Sequence, residues 1–170
     1  VYRREIGPPR SFLDFSLFIT FFPQLVAGPI MRGSELLHQF YEDHKPQAER
    51  ILSGMLLVVW GLLKKIFVAD SMGRIVQSVY GTAAAPLDPG AFSGLSLLMA
   101  TYAFAVQIYC DFSAYTDICI GSGRILGFRI IENFNSPYLA VSITEFWRRW
   151  HMSLSRWLRD YLYIPLGGNR

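Results

Sequence analysis

The chain has 170 residues, of which 52% are hydrophobic, 15% aromatic and only 17% charged, with a mean hydropathy of +0.27. Soluble domains carry about 25% charged residues, so the composition argues against an ordinary soluble enzyme and for a membrane protein whose apolar residues are gathered into spanning runs. The net charge of +3 is no sign of a nucleic-acid partner, because the arginines flank apolar runs, as anchoring and orienting residues do.

Residues 1–11 are basic and Pro-rich and read as a loop at a membrane face. Residues 12–31 form the first apolar run. A helix of about 20 residues just crosses a bilayer, but Pro23 and the Gly28-Pro29 pair fit a broken or re-entrant element equally well. The polar stretch that follows carries His38 and His44, both read as loop histidines. The apolar run 51–69 is interrupted by Lys64-Lys65, which are expected to snorkel to the surface from a tilted or interfacial helix. Residues 70–90 read as a loop ending in AAAPLDPG. The run 91–127 is uncharged through Cys110 and is the clearest transmembrane helix. NFNSPY at 133–138 reads as a turn. An amphipathic helix is expected over 143–163, opened by a Ser142-x-x-Glu145 capping box and closed by Pro165, Gly167 and Gly168. These elements predict an all-α, polytopic membrane protein. The chain starts at Val1 and stops at GGNR, and is expected to be an internal piece of a longer protein. Cys110 and Cys119 lie in apolar contexts without metal-ligand spacing, so they read as small buried hydrophobes and no metal site is expected.

Two constellations carry chemistry. On a helical wheel at about 100° per residue, Phe146, Trp147, Trp150, Leu154, Trp157 and Tyr161 share an apolar arc, opposite Glu145, Arg148, Arg149, Arg156, Arg159 and Asp160. His151 falls inside the apolar arc near its edge. Burial there favours neutral imidazole, which can take a proton from a hydroxyl. The same position also suits a structural histidine with one nitrogen bonded to a carbonyl. The second constellation is Gln107, Asp111 and Tyr115, spaced i, i+4, i+8 on one helix face, with Asp117 and Arg124 beyond. Carboxylates at membrane depth mark a pathway or a site, or are neutralised by partners such as Arg124. No Gly-rich phosphate loop with a lysine and no GxSxG elbow is present.

QIYCDFSAYTDICIGSGRILGF (107–128), NFNSPYLAVSITEFWRRWHMSLSRWLRDYLYIPLGGNR (133–170) and FFPQLVAGPIMR (21–32) resemble the membrane-bound O-acyltransferase (MBOAT) superfamily, in its bacterial polysaccharide-acetylating branch. The resemblance covers most of the chain and rests on several long motifs in order. It implies a partial MBOAT-type bundle with re-entrant and interfacial helices around a tunnel. It also implies an acetyltransferase that takes acetyl from acetyl-CoA, as a substrate rather than a bound cofactor, and delivers it across the inner membrane of a bacterium. There, periplasmic acetyltransferase partners O-acetylate an exopolysaccharide such as alginate. His151 of the WHMSLS motif then becomes the expected catalytic residue. Gln107, Asp111, Tyr115, Asp117, Trp150 and Ser153 are expected to line or support the tunnel. Arg148, Arg149, Arg156 and Arg159 are expected to contact phosphates of the donor or of lipid headgroups. The family's second histidine belongs to a later Trp-His-Gly segment that these residues do not contain, so residues 1–170 alone are expected not to turn over. D-alanyl transfer to teichoic acid and peptidoglycan O-acetylation are the alternatives within the superfamily. A transport conduit lined by Asp111 and Asp117, and a membrane scaffold for a polysaccharide synthase, are the alternatives of another class. Basic residues flank nearly every apolar run, so they do not orient the chain; the final helix is expected on the cytosolic side, where the donor is made.

Overall fold

A computed structural model describes residues 9–81, 88, 90 and 92–168, and the regular structure within them is helical. Most of the basic stretch before Arg10, and AAAPLDPG apart from Asp88 and Gly90, lie outside the described residues.

The first apolar run is not a straight span. Helix α1, Phe12–Thr20, starts at Ser11, whose hydroxyl accepts the Asp14 N–H at 3.1 Å. It ends ahead of Pro23, which has no N–H to continue it and sits in a 3-10 turn, Phe22–Gln24. Nine residues rise only about 13 Å, less than half of a ~30 Å hydrocarbon layer. Gln24 Nε2 donates to the Phe18 carbonyl at 2.9 Å, satisfying one acceptor freed by the break. Beyond it, α2, Gly33–Leu36, and the 3-10 turn Leu37–Tyr41 fold back so that Phe21, Met31 and Leu36 join Ile120 and Ile130 in a small core.

Two long helices form the frame. Helix α3, Ala48–Leu63, widens into a π turn, Lys64–Ala69, and continues as α4, Asp70–Tyr80, so one helix runs unbroken over 33 residues. The expected loop from residue 70 is corrected here. Residues 70–80 contain no proline, the Asp70 carboxylate pairs with Lys65 at 2.9 Å, and the stretch packs on α5, Gly94–Leu126. The turn comes only at Gly81, whose φ of 71° suits glycine.

The pair runs antiparallel, Gly54 facing Gly121, Gly61 facing Ala114 and Gly73 facing Gln107. A Cβ on Gly54 would sit 2.7 Å from the Gly121 carbonyl oxygen, and one on Gly121 equally close to that of Gly54. Only glycine permits this backbone approach, the device by which membrane helices associate. Outward, Leu56, Trp60, Phe67, Met99 and Tyr102 are exposed. Only 11% and 17% of the most apolar stretches of the two helices are buried within the chain, the reverse of a soluble protein's core helix. Both are long and apolar enough to cross a membrane.

Helix α5 ends at Gly127, φ 98°, in a left-handed cap. An extended segment and a 3-10 turn, Pro137–Leu139, lead to α6, Ile143–Arg149, and α7, Met152–Leu158, the latter running into a second π turn, Arg159–Tyr163. The capping box is present with one change. Ser142 Oγ accepts the Glu145 N–H at 3.1 Å, but Glu145 Oε2 accepts from Val141 N at 2.9 Å rather than from the cap's own N–H. The single helix read over 143–163 is corrected to two, because the chain breaks at Trp150-His151. There His151 takes φ 43°, ψ 54°, a left-handed conformation in a non-glycine residue.

Candidate active site

The break that displays His151 is paid for by hydrogen bonds on both sides. The Arg149 carbonyl, freed at the end of α6, accepts the Asn135 N–H at 3.0 Å, and Ser155 Oγ donates to the Trp147 carbonyl at 3.2 Å. At the start of α7, the Met152 N–H donates to the Asn133 carbonyl at 2.9 Å and the Ser153 N–H to Asn133 Oδ1 at 3.1 Å. The Ser155 N–H returns to the His151 carbonyl at 3.1 Å. A left-handed non-glycine residue costs roughly 1–2 kcal/mol, and such a conformation persists only where its surroundings over-determine it.

The His151 ring is half-buried and stands edge-on to Phe112, centroids 4.8 Å apart at 81°. Burial pushes its pKa down, favouring neutral imidazole. Among the described residues neither ring nitrogen is hydrogen-bonded. The other two histidines behave differently. His38 Nδ1 lies 3.0 Å from the Ser34 carbonyl, and His44 Nε2 lies 2.6 Å from that of Gln39. Those two rings are engaged by backbone carbonyls, whereas His151 has no such bond among the described residues. What the fold presents there is an imidazole whose neutral form is favoured, with neither nitrogen bonded among the described residues, backed by Phe134 against Phe112 at 5.0 Å and by Trp150 against Phe134 at 5.1 Å.

The other expected site residues are placed elsewhere. Ser153 is buried, and its hydroxyl accepts the Ile30 N–H at 3.0 Å, tying the Gly28-Pro29-Ile30 bend to α7. Gln107 packs against Gly73, its Oε1 buried without a partner among the described residues. The Tyr115 hydroxyl accepts a long contact from Ala27 N at 3.5 Å. Asp111 and Asp117 pair not with arginines but with the two lysines of the π turn: Lys65 to Asp111 at 2.8 Å, and Lys64 to Asp117 at 2.7 Å and Ser113 at 3.1 Å. The lysines therefore do not both snorkel outward, and neither aspartate makes an ion pair with His151. A polar cavity of about 240 Å³ beside Lys64 and Asp117 is lined also by Thr116, Arg124, Glu132 and Asn133.

A larger groove, about 1110 Å³, opens beside Met152 and carries Trp147, Arg148, Arg156 and Arg159. Arg149 is not part of it, being held by Glu145 at 2.5 Å. Arg159 donates to Asp160 at 2.7 Å, and Arg32 pairs with the same carboxylate. Arg159 first and Arg32 second hold Asp160 down to about 2. Arg156 is 4.0 Å from Glu35. Sequence reasoning missed Asn133, Lys64 and Lys65 as site-building residues. Two lysines in one apolar run and two aspartates in another were a readable signal for the ion pairs; nothing marked Asn133 apart from other turn asparagines.

A family model described as MBOAT, membrane-bound O-acyltransferase family, matches residues 3–170. The chain is 44% identical to the probable alginate O-acetylase AlgI of Azotobacter vinelandii over 171 residues, covering 100% of this chain and 32% of that protein. It is 40% identical to the peptidoglycan O-acetyltransferase of Helicobacter pylori, over 97% of this chain and 32% of that protein. It is 31% identical to the teichoic acid D-alanyltransferase of Bacillus subtilis, over 86% of this chain and 36% of that protein. The chain thus spans about a third of the length of these relatives.

Proposed function

Because this chain belongs to the membrane-bound O-acyltransferase family, we propose that the protein is a multi-pass inner-membrane acetyltransferase that draws acetyl groups from acetyl-CoA for O-acetylation of an exopolysaccharide, alginate or a polymer like it. The observation that carries this is His151: a neutral, half-buried imidazole, held at a helix break with neither nitrogen engaged. One nitrogen accepts the proton of the acceptor hydroxyl as its oxygen bonds to the thioester carbonyl carbon. The C–S bond then breaks, and the departing thiolate takes the proton back as CoA thiol. The groove beside Met152 supplies Arg148, Arg156 and Arg159, planar forks suited to the several phosphates of a CoA nucleotide. A carrier-protein thioester, the donor for D-alanyl transfer, offers one phosphate to the same arginines, and the D-alanyltransferase relative is also the less similar one. Periplasmic acetyltransferase partners receive the acetyl group, and membrane lipid surrounds the exposed apolar faces. The transport reading needs unpaired aspartates along a conduit, whereas Asp111 and Asp117 are each ion-paired.

The test is the full-length gene expressed with its operon partners, reading O-acetyl groups on the secreted polymer. His151→Asn, which tolerates the left-handed backbone, is expected to lower acetylation by about 10²- to 10⁴-fold, the usual worth of a general base. Unchanged acetylation removes His151 from the mechanism. Deletion of the gene without an acetylation phenotype removes the reading for that polymer.

A further inference from the structure

Resting on the reading that His151 takes part in transfer, we infer that Asn133 is a positioning residue for it: its backbone and side-chain oxygens together hold the break that presents the imidazole. Asn133 is fully buried, at 0% exposure. It lies outside both helices that flank the break, in the extended segment after α5. Its carbonyl takes the N–H of Met152 and its Oδ1 the N–H of Ser153, the two residues that directly follow His151. These are N–H groups of the first turn of α7, which no intrahelical acceptor reaches. An accepting atom of this reach fixes where α7 begins, and so fixes the residue before it in its left-handed conformation.

The amide orientation follows from the chemistry. A backbone N–H can be met only by the oxygen, so Nδ2 faces the other way. It is buried without a partner among the described residues, and Asn133 lines the polar cavity that Lys64, Arg124, Asp117 and Glu132 also line. The neighbouring residue sets the ring. Phe134 packs edge-on against Phe112 at 5.0 Å, and Phe112 carries the His151 ring at 4.8 Å. Residue 133 thus supplies the backbone clamp, and residue 134 braces Phe112, the ring that lies against the imidazole. Asn133→Ala removes one clamp bond, that to Ser153, and leaves the backbone bond to Met152 in place. Asn133→Asp keeps the acceptor, with its second oxygen turned towards a polar cavity that Lys64 and Arg124 line together with Asp117 and Glu132.

The experiment uses the full-length enzyme in proteoliposomes with acetyl-CoA, with rates taken per monodisperse protein. Asn133→Ala is expected to lower kcat about 10- to 100-fold with KM for acetyl-CoA changed less than about twofold, and Asn133→Asp to recover most of the loss. In a His151→Asn background, Asn133→Ala is expected to cost nothing further, since its effect passes through the imidazole. An equal loss in both backgrounds, or a wild-type kcat for Asn133→Ala, overturns the positioning role. Wild-type activity of His151→Asn alone overturns the functional reading instead. If Asn133→Ala is not recovered monodisperse, Asn133→Ser, whose shorter hydroxyl withdraws from Ser153, takes its place with the same outcomes.

Discussion

His151 stands apart from His38 and His44 because its nitrogens face no backbone carbonyl. Its lowered pKa has a definite sign for activity. A base works only when unprotonated, and the free imidazole titrates near 6.5. The acid limb of the kcat/KM profile is therefore expected to lie below that value, with activity retained into mildly acidic solution. A limb at or above the ordinary histidine range, measured on full-length enzyme, would show that the ring is not buried when it works. Asp160 does not interfere: held at about 2 by Arg159 and Arg32, it stays charged throughout that window. Its ion pairs add stability that is full above the unfolded carboxylate range and is lost as pH falls from that range through about 2. At this scale the sequence placed His151 in an apolar setting and the arginines around it. It could not place Asn133, because the bond that matters joins residues twenty positions apart, and no local pattern encodes such a contact.

The π turn Lys64–Ala69 aims two adjacent lysines at α5, where they meet carboxylates six positions apart. Replacing Lys64 by Met leaves Asp117 unpaired at membrane depth. A fully buried pair broken this way costs 3–5 kcal/mol, and partial exposure of both groups brings the expectation to about 2 kcal/mol. Lys64→Met is expected to lower the thermal midpoint in detergent, and Lys64→Met with Asp117→Leu to restore most of it; a double variant no better than the single would show the pair is not coupled. Elements whose signals are local were legible: the Ser142–Glu145 cap, the interruption at Pro23 and the long helix ending at Gly127. Two were not. Residues 70–80 looked like loop because they are polar, yet they continue a helix whose other face packs on α5. The break at His151 carries no glycine or proline, and arises from tertiary hydrogen bonds that over-ride a good helical pattern.

As a whole, the described chain is a two-helix frame accompanied by short helices, and its outer faces are rich in exposed Leu, Phe, Trp and Met. In water such surface would aggregate; in a bilayer it is solvated. Since the chain spans about a third of its relatives, residues 1–170 produced alone are expected to show no acetyl transfer in proteoliposomes while remaining helical by circular dichroism. Measurable turnover by that piece would mean that His151 suffices without a companion imidazole. The helical class and the two helices long and apolar enough to cross a membrane were legible from composition and run length, because both depend on overall apolarity rather than on particular contacts.

The wide turn at 64–69 amounts to one surplus amino acid wound into an otherwise regular spiral. Excising a single residue there would let the coil tighten to 3.6 per turn without breaking it. Everything beyond would keep its facing, with Gly73 still against Gln107 and the Tyr80 hydroxyl still beside its 3.0 Å partner, the Leu97 carbonyl. Helical content would hardly change and both halves of the rod would address the same neighbour, so what the surplus residue serves is the local aim of Lys64 and Lys65.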